Sequence, residues 1–229
     1  MKYTALIPAR GGSKGIPNKN IKIMNGQPLI TWSILQAKAS KKISRVIVST
    51  DDETIADIAR KAGAQVPELR PKHLATDVAS TEVVMLHALD TWMKDESNKN
   101  GHAMVLLQAT SPLRLANSID SAISLFEQQQ ADSLVSVCSS HAFFWKNPSA
   151  PEPLYDFRAR PRRQDIEPKD QQYRENGSIY ITDTQLLSRE KNRLGGKIAM
   201  FQMKECESWE IDSMTDWLIV ETMMKEVNL

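Results

Sequence analysis

The chain has 229 residues, enough for one large domain, and the 41% that are hydrophobic supply a proper core. Its formal net charge of +1 argues against a protein that coats nucleic acid, and no 18-residue apolar run provides a membrane span. The two cysteines are too few for a disulfide framework, and the N-terminus lacks the apolar segment of a signal peptide. We therefore expect a cytoplasmic protein that binds neither membrane nor nucleic acid.

Apolar runs alternate with amphipathic segments along the first 140 residues. Four runs have the length and composition of buried strands, at 3–8, 45–49, 103–108 and 133–138. Four intervening segments have helical spacing, at 28–39, 54–62, 80–92 and 116–129. Strands separated by helices of about ten to fifteen residues indicate an α/β fold with a mostly parallel sheet. Ligands bind beyond the carboxyl ends of such strands, so the loops after Ala9, Ser49 and Gln108 should share one cleft.

The alternation breaks near Ser139 and returns at 178–182, 197–202 and 214–227. Residues 140–175 hold five prolines and no clear helical spacing. We predict an inserted protrusion over 139–190, with 1–138 and 191–229 forming the main domain. Its large apolar residues would be exposed in a monomer, which favours a dimer interface. These residues are Phe143, Phe144, Trp145, Tyr155 and Phe157.

Glycine and basic residues are concentrated directly after the first predicted strand, in LIPARGGSKGIPNKN at 6–20. Glycine lets backbone N–H groups converge on an anion, and Arg10, Lys14 and Lys19 supply charge to balance a triphosphate. A Walker A loop requires lysine before serine or threonine, whereas Lys14 precedes Gly15, and GGSKG lacks the dinucleotide-binding spacing. The loop therefore predicts an enzyme that transfers a nucleotide from a nucleoside triphosphate.

The same loop resembles the opening signature of the acylneuraminate cytidylyltransferases, the CMP-sialic acid synthetases. Four later blocks follow in that family's order: VSTDD at 48–52, RPKHLATDVAST at 70–81, LLQATSPLR at 106–114 and ENGSIYI at 175–181. The resemblance implies a Rossmann-like three-layer α/β domain with a mostly parallel sheet and an inserted dimerisation protrusion, and hence a homodimer through 139–190. It also implies CMP transfer from CTP to the anomeric hydroxyl of a nine-carbon α-keto acid sugar, with release of pyrophosphate.

The resemblance assigns the nucleotide to residues of the first loop, at 6–20, and of the block RPKHLATDVAST, at 70–81. Lys19 is expected at the α-phosphate, and Arg10 and Lys14 at the β- and γ-phosphates. Arg70 has an alternative as a surface arginine that flanks a helix, and Ser80 has one as a helix N-cap. The full nucleotide-binding set is Arg10, Ser13, Lys14, Lys19, Asn20, Arg70 and Ser80.

The acidic sugar is assigned to four further residues by the same resemblance. An arginine is the natural partner of its carboxylate, because the guanidinium pairs with both oxygens. The RRQ sequence points to Arg163, with Arg162 as a rival, and Gln108 has an alternative as a strand-end amide that bonds to loop backbone. The predicted sugar-binding residues are Gln108, Lys146, Arg163 and Tyr180.

Two polar residues of the matched blocks are expected to have structural roles rather than to bind the nucleotide or the sugar. Asp51 follows the second predicted strand and is expected to cap the next helix. Arg114 is left outside the site as a surface charge near the start of a helix. Cys138, after a buried run, is expected to be a core thiol.

The expected metal site is the Glu210-Ile211-Asp212 segment, where relatives carry Asp-x-Asp. In an extended segment the two carboxylates point to the same side, so Glu210 and Asp212 could share Mg²⁺ through oxygen ligands. Asp212 joins Lys19 and Arg10 as an expected catalytic residue, with helix capping as its alternative. Two other functions stay open: CMP transfer to an eight-carbon keto acid or another sugar nucleotidyl transfer, and a catalytically inactive nucleotide-binding scaffold dimer, which the unusual Glu210 favours.

Overall fold

The computed structural model describes residues 1–97 and 101–227. Its strands are β1 (Lys2–Pro8), β2 (Ile23–Met24), β3 (Gln27–Pro28), β4 (Ile43–Ser49), β5 (His102–Leu107), β6 (Ser133–Ser140), β7 (Trp145–Lys146), β8 (Glu152–Pro153), β9 (Gln172–Asp183) and β10 (Ile198–Gln202). Its helices are α1 (Leu29–Ala39), α2 (Glu53–Lys61), α3 (Thr81–Thr91), α4 (Lys94–Ser97), α5 (Ser118–Gln128), α6 (Thr184–Glu190) and α7 (Met214–Glu226). None of these helices is long and apolar enough to cross a membrane.

Six strands form the central sheet in the order β10-β6-β9-β5-β1-β4. The pairs β10–β6, β5–β1 and β1–β4 are parallel, and β9 runs antiparallel to both of its neighbours. Side chains alternate across each strand, so Ala5 and Ile7 pack with α1, α2 and α5 while Leu6 packs with α3. The helices therefore cover both faces, and the predicted Rossmann-like three-layer α/β fold with a mostly parallel sheet is confirmed.

The helices α2, α3, α6 and α7 begin where local side chains accept hydrogen bonds from their first backbone N–H groups. Asp52 accepts a hydrogen bond from the Ile55 amide at 2.9 Å and caps α2. Ser213 and Asp216 form a reciprocal capping box at the start of α7. These caps correct two expectations, because Asp52 rather than Asp51 caps α2 and Ser213 rather than Asp212 caps α7.

The predicted insertion at 139–190 is too long at its C-terminal side. β9 begins at Gln172 and lies in the middle of the sheet, between β5 and β6. Leu187 of α6 packs in the apolar cluster that contains α3. Within 139–190, the residues that belong neither to the sheet nor to the α6 packed beside it are 141–171, which form the β7–β8 hairpin, two short 3₁₀ helices and loops. The irregular composition of 140–175 concealed the first residues of β9, which are exposed and pair with β6 alone, beyond the end of β5.

Candidate active site

A cleft of about 300 Å³ opens at the carboxyl ends of β1 and β5, and the loop after Ser49, which was also expected there, is not part of its lining. The loops after β1 and β5 line it, together with the segment that precedes α3 and one residue before α7. Its polar lining is Arg10, Ser13, Lys19, Asn20, Arg70, Thr76, Asp77, Ser80, Thr81, Gln108, Thr110 and Glu210. Six of the seven predicted nucleotide-binding residues are in this set, and Lys14 is the exception.

The first loop is fixed by hydrogen bonds and by one close backbone approach. The Gly11 amide donates to Asp51 Oδ1 at 3.0 Å, and the buried Asn20 donates to the Arg10 carbonyl at 3.0 Å. A β-carbon at Gly15 would collide with the carbonyl oxygen of Asp212. The loop is thereby held between β4 and the 210–212 segment, with its basic side chains at the cleft.

Asp77 pairs with two of the predicted phosphate ligands. Its two carboxylate oxygens lie 2.8 Å from Arg10 NH2 and 2.5 Å from Lys14 Nζ. The bonded Lys14 ammonium holds the pKa of Asp77 below its ordinary value. Sequence reasoning missed Asp77, although it is a lone carboxylate in the matched block RPKHLATDVAST. Asp77 bridges these two cations much as a phosphate group would.

Lys19 connects the first loop to the carboxylate segment. Its Nζ donates to the Ile211 carbonyl at 2.6 Å and lies 3.5 Å from Asp212 Oδ1. The side chain is only 12% exposed and also lines the cleft. A largely desolvated ammonium at this point suits the stabilisation of charge on a phosphoryl group.

Glu210 and Asp212 occupy different positions. Glu210 lines the cleft and accepts a hydrogen bond from Thr110 Oγ1 at 3.2 Å. Burial, and then the charge of Asp212, raise the pKa of Glu210. Asp212 is outside the cleft lining, with a side chain that is 77% exposed and faces Lys19.

The donor set of this segment fits a hard divalent cation. Two mutually repelling carboxylates and the Thr110 hydroxyl are oxygen donors of the kind that Mg²⁺ prefers. Over residues 1–97 and 101–227, no group of three or more His, Cys, Asp or Glu residues forms a closed metal cage. Mg²⁺ in proteins is commonly held by one or two carboxylates together with substrate phosphates and water.

Arg70 and Ser80 form the wall opposite the first loop. Arg70 is only 5% exposed, so its alternative as a surface arginine is wrong. Its nearest carboxylate is Asp51, at 3.9 Å, and within the described chain its Nε and NH2 atoms have no hydrogen-bond partner. Burial lowers the pKa of this guanidinium, and its unsatisfied donors suit a polar ligand. Ser80 caps α3 by accepting from the Val83 amide at 3.4 Å and also lines the cleft, so both of its expected positions are compatible.

Gln108 meets β9 and Glu210 at the far end of the cleft. The orientation of its amide is assigned from the surrounding groups, which are acceptors: with the nitrogen turned toward them, it donates to the Gly177 carbonyl and, at 3.2 Å, to Glu210 Oε1. Gly177 has a φ of +64°, and a β-carbon there would meet the Gln108 amide and lie 3.0 Å from Glu210 Oε2. Glycine is required at this position for both its conformation and the close packing.

The other three predicted sugar residues do not line the cleft of their own chain. Lys146 pairs with Glu152 at 2.8 Å in the exposed β7–β8 hairpin. Arg163 lines a separate hollow with Arg174. Tyr180 is 3% exposed and packs in the apolar core, where its hydroxyl donates to Glu175. Their roles toward the sugar stay predictions.

Two arginines near the cleft were not assigned to the site from the sequence. Arg174 NH2 donates to the Ser208 carbonyl at 3.2 Å, and its charge acts on Glu210. Arg114, expected to be a surface charge, is only 1% exposed. The signal for Arg174 was its place in YRENG beside a matched block, whereas composition alone could not distinguish a buried from an exposed Arg114.

A Rossmann-like sheet whose basic glycine-rich loop faces a carboxylate segment defines a nucleotidyltransferase. The chain belongs to the cytidylyltransferase family, whose model matches residues 4–222. The resemblance found in the sequence is thereby confirmed, and so is the class of enzyme.

Curated relatives match almost the whole chain. Post-translational flagellin modification protein B of Campylobacter coli is 35% identical over 230 residues, covering 97% of this chain and 95% of that protein. CMP-N,N'-diacetyllegionaminic acid synthase of Legionella pneumophila is 33% identical, covering 98% and 97%. N-acylneuraminate cytidylyltransferase A of Danio rerio is 38% identical, covering 95% of this chain and 50% of that protein.

Solved structures agree on the fold. A CMP:2-keto-3-deoxy-manno-octonic acid synthetase complexed with CTP superposes with a TM-score of 0.72 at 17% identity, covering 99% of both chains. A 4-diphosphocytidyl-2C-methyl-D-erythritol synthase from Anaerococcus prevotii gives 0.67 at 11% identity, covering 98% of both chains. At such low identities the likeness concerns the fold alone.

Proposed function

We propose that this enzyme transfers the cytidylyl group of CTP to the anomeric hydroxyl of a nine-carbon α-keto acid sugar. The anomeric oxygen forms a bond to the α-phosphorus, the bond from that phosphorus to the bridging oxygen of pyrophosphate breaks, and the hydroxyl proton is released. The observation that carries the proposal is the single cleft in which Arg10 and Lys19 face Gln108 and Glu210. Relatives whose names specify sialic and legionaminic acids support this class of acceptor.

Charge neutralisation and positioning are the catalytic means that this cleft offers. Lys19 is placed to stabilise the charge that develops at the α-phosphate, because its ammonium is held between the loop and the 210–212 segment. Arg10 and Lys14 release Asp77 when the triphosphate binds, and their charges then neutralise the departing pyrophosphate. Direct in-line transfer needs no covalent enzyme intermediate.

Glu210 and Asp212 would hold Mg²⁺, whose charge would assist the binding of the triphosphate. Burial, and then the charge of Asp212, raise the pKa of Glu210, and a cation bound there would offset both effects. Lys19 lies beside Asp212 and would keep that carboxylate oriented in either case.

A homodimer through residues 141–171 accounts for the apolar surface of this segment. Phe144, Trp145, Leu154 and Phe157 are exposed in the single chain, and burial of such a patch stabilises association.

The free thiols of Cys138 and Cys206 support a reducing, cytoplasmic location.

Pyrophosphate release measured with CTP, Mg²⁺ and a panel of acids tests the function. The panel contains N-acetylneuraminate, legionaminate, pseudaminate and an eight-carbon keto acid, compared by kcat/KM because specificity is a ratio of these values. We expect turnover with a nine-carbon acid and its loss on addition of EDTA. Turnover confined to the eight-carbon acid would show that the proposed nine-carbon acceptor is wrong. CTP binding without turnover of any acid would favour the inactive scaffold.

A further inference from the structure

Arg114 lies directly behind the cleft and is completely enclosed by the protein. It ends the block LLQATSPLR and is among the largest buried side chains of the described chain. Its four hydrogen-bond partners in residues 1–97 and 101–227 are all uncharged oxygen atoms. Burial lowers its pKa to about 9, which still leaves the guanidinium charged at neutral pH.

The guanidinium joins three elements of the fold. NH2 donates to the backbone carbonyls of Gln108 and Ser178, at 2.8 Å each. NH1 donates to Ser33 Oγ at 3.0 Å and to Gln36 Oε1 at 3.2 Å, both on α1. One planar group thereby ties the end of β5 and the middle of β9 to a helix that covers the sheet.

The two carbonyls belong to the far wall of the cleft. Gln108 lines the cleft itself, and Ser178 follows Gly177, whose carbonyl accepts from the Gln108 amide. Arg114 therefore holds the backbone on both sides of the Gln108–Gly177 contact. Because a β-carbon at Gly177 would already clash with Gln108, this spacing has little tolerance.

Packing alone does not account for a cation at this position. The charge of the buried Glu207 acts on Arg114, but that carboxylate accepts hydrogen bonds from the Leu115 amide and Ser118 Oγ rather than from the guanidinium. A buried charge without a directly bonded carboxylate costs free energy that an apolar side chain of similar volume avoids. The fork of an arginine, however, spans two carbonyls and a hydroxyl in one plane, which neither an apolar side chain nor lysine does. We infer that the arginine is present because it fixes the positions of the two backbone carbonyls in the far wall of the cleft.

We propose that Arg114 is a positioning residue for the acceptor end of the cleft, acting through Gln108 and Gly177. Its substitution weakens use of the acidic acceptor and leaves CTP binding intact, because Arg10, Lys19 and Arg70 lie on other walls. The inference rests on the proposed function in assigning the acceptor to the Gln108 side of the cleft.

Arg114→Lys tests the proposal, because it keeps the positive charge and removes the fork. Gln36→Met is the matched control, since it removes one acceptor of the guanidinium on α1 and leaves its bonds to the Gln108 and Ser178 carbonyls in place. It also removes the bonds that the Gln36 amide donates to the Pro112 and Arg114 carbonyls, at 2.6 and 3.5 Å. We expect Arg114→Lys to raise the acceptor KM by about tenfold or more while the CTP KM changes less than twofold. Gln36→Met should change neither value by more than twofold.

A double-mutant cycle separates positioning from a general structural role. In a Gln108→Ala background, Arg114→Lys should produce no further rise in the acceptor KM, because its effect passes through Gln108. Additive effects, an equal rise of both KM values, or a lower thermal midpoint with unchanged KM values would overturn the proposal. Arg114→Gln, an uncharged donor, is the second variant if the lysine variant does not fold.

Hydrogen exchange of the full chain distinguishes failure of this inference from failure of the proposed function. If no acid is turned over by the unmodified enzyme, the proposed function fails. In that event, faster hydrogen exchange of the 177–179 amides in Arg114→Lys, but not in Gln36→Met, still supports the positioning of β9 by Arg114. Equal protection in both variants would overturn it.

Discussion

The nucleotide end and the acceptor end of the cleft differ in how many of their predicted residues line the cleft in a single chain. At the nucleotide end, six of the seven predicted residues line one cavity, and the seventh, Lys14, meets Arg10 through Asp77. At the acceptor end, only Gln108 of the four predicted residues lines it. Residues that follow parallel strands are gathered by the sheet itself, whereas residues of an inserted segment are placed by contacts that strand order does not determine.

The nucleotide end should therefore be the more sensitive to substitution, and Lys19→Met should have the largest effect. Removing a buried ammonium from the 2.6 Å contact with the Ile211 carbonyl also removes its charge from the cleft. We expect kcat for cytidylyl transfer to fall about 10²- to 10³-fold, as for other groups that stabilise transition-state charge.

Lys22→Met is the control for that variant, measured in the same pyrophosphate assay. Lys22 follows the same 3₁₀ turn, but its ammonium lies over the Trp217 ring, 5.4 Å from the centroid, and it does not line the cleft. A loss below about tenfold in Lys19→Met, or an equal loss in the control, would remove Lys19 from the reaction.

Gly177→Ala probes the wall between the two ends. The β-carbon would press on the Gln108 amide and on Glu210, and the φ of +64° adds strain of about 1–2 kcal/mol. We expect kcat/KM for the acceptor to fall about 10- to 100-fold, because the wall must shift.

Gly26→Ala is the matched control for strain, since it has a φ of +82° with nothing within 4 Å of an added β-carbon. Denaturant unfolding should show a similar loss of stability from backbone strain in both variants, with the activity loss confined to Gly177→Ala. Equal activity of the two variants would show that the far wall tolerates displacement.

Asp77→Asn should have a smaller effect, and in the opposite direction. The carboxylate competes with the triphosphate for Arg10 and Lys14, so its removal should tighten CTP binding. Exposed ion pairs contribute about 0.2–1 kcal/mol, which corresponds to an increase in affinity of up to about fivefold. Titration calorimetry at two salt concentrations measures it, with Asp57→Asn, whose pair with Arg60 lies on α2, as the control. Weaker CTP binding in Asp77→Asn would instead make Asp77 part of the nucleotide site.

The sequence predicts the nucleotide end well because each of its signals is local. A glycine-rich basic loop after an apolar strand lies at the carboxyl end of a parallel sheet, and Arg70 and Ser80 follow from the matched block RPKHLATDVAST. The burial of Arg114, and the start of β9 with its place in the middle of the sheet, were missed for a different reason. Burial of a charged side chain depends on Gln108, Ser178 and α1 meeting in space, and a strand that enters the sheet antiparallel from an irregular segment has no local signature.

Lys146→Ala has the smallest expected effect on the nucleotide end and tests the acceptor end most directly. Its exposed pair with Glu152 lies outside the cleft, so CTP affinity should change less than about twofold and stability by less than about 0.5 kcal/mol. Glu152→Gln, which removes the same pair but keeps the lysine, is the control. A rise in the acceptor KM in Lys146→Ala alone would show that the insertion contributes to the acceptor site. If neither variant changes the acceptor KM, the sugar-binding role of Lys146 is wrong, and the acceptor end is formed by Gln108 and its neighbours on the sheet.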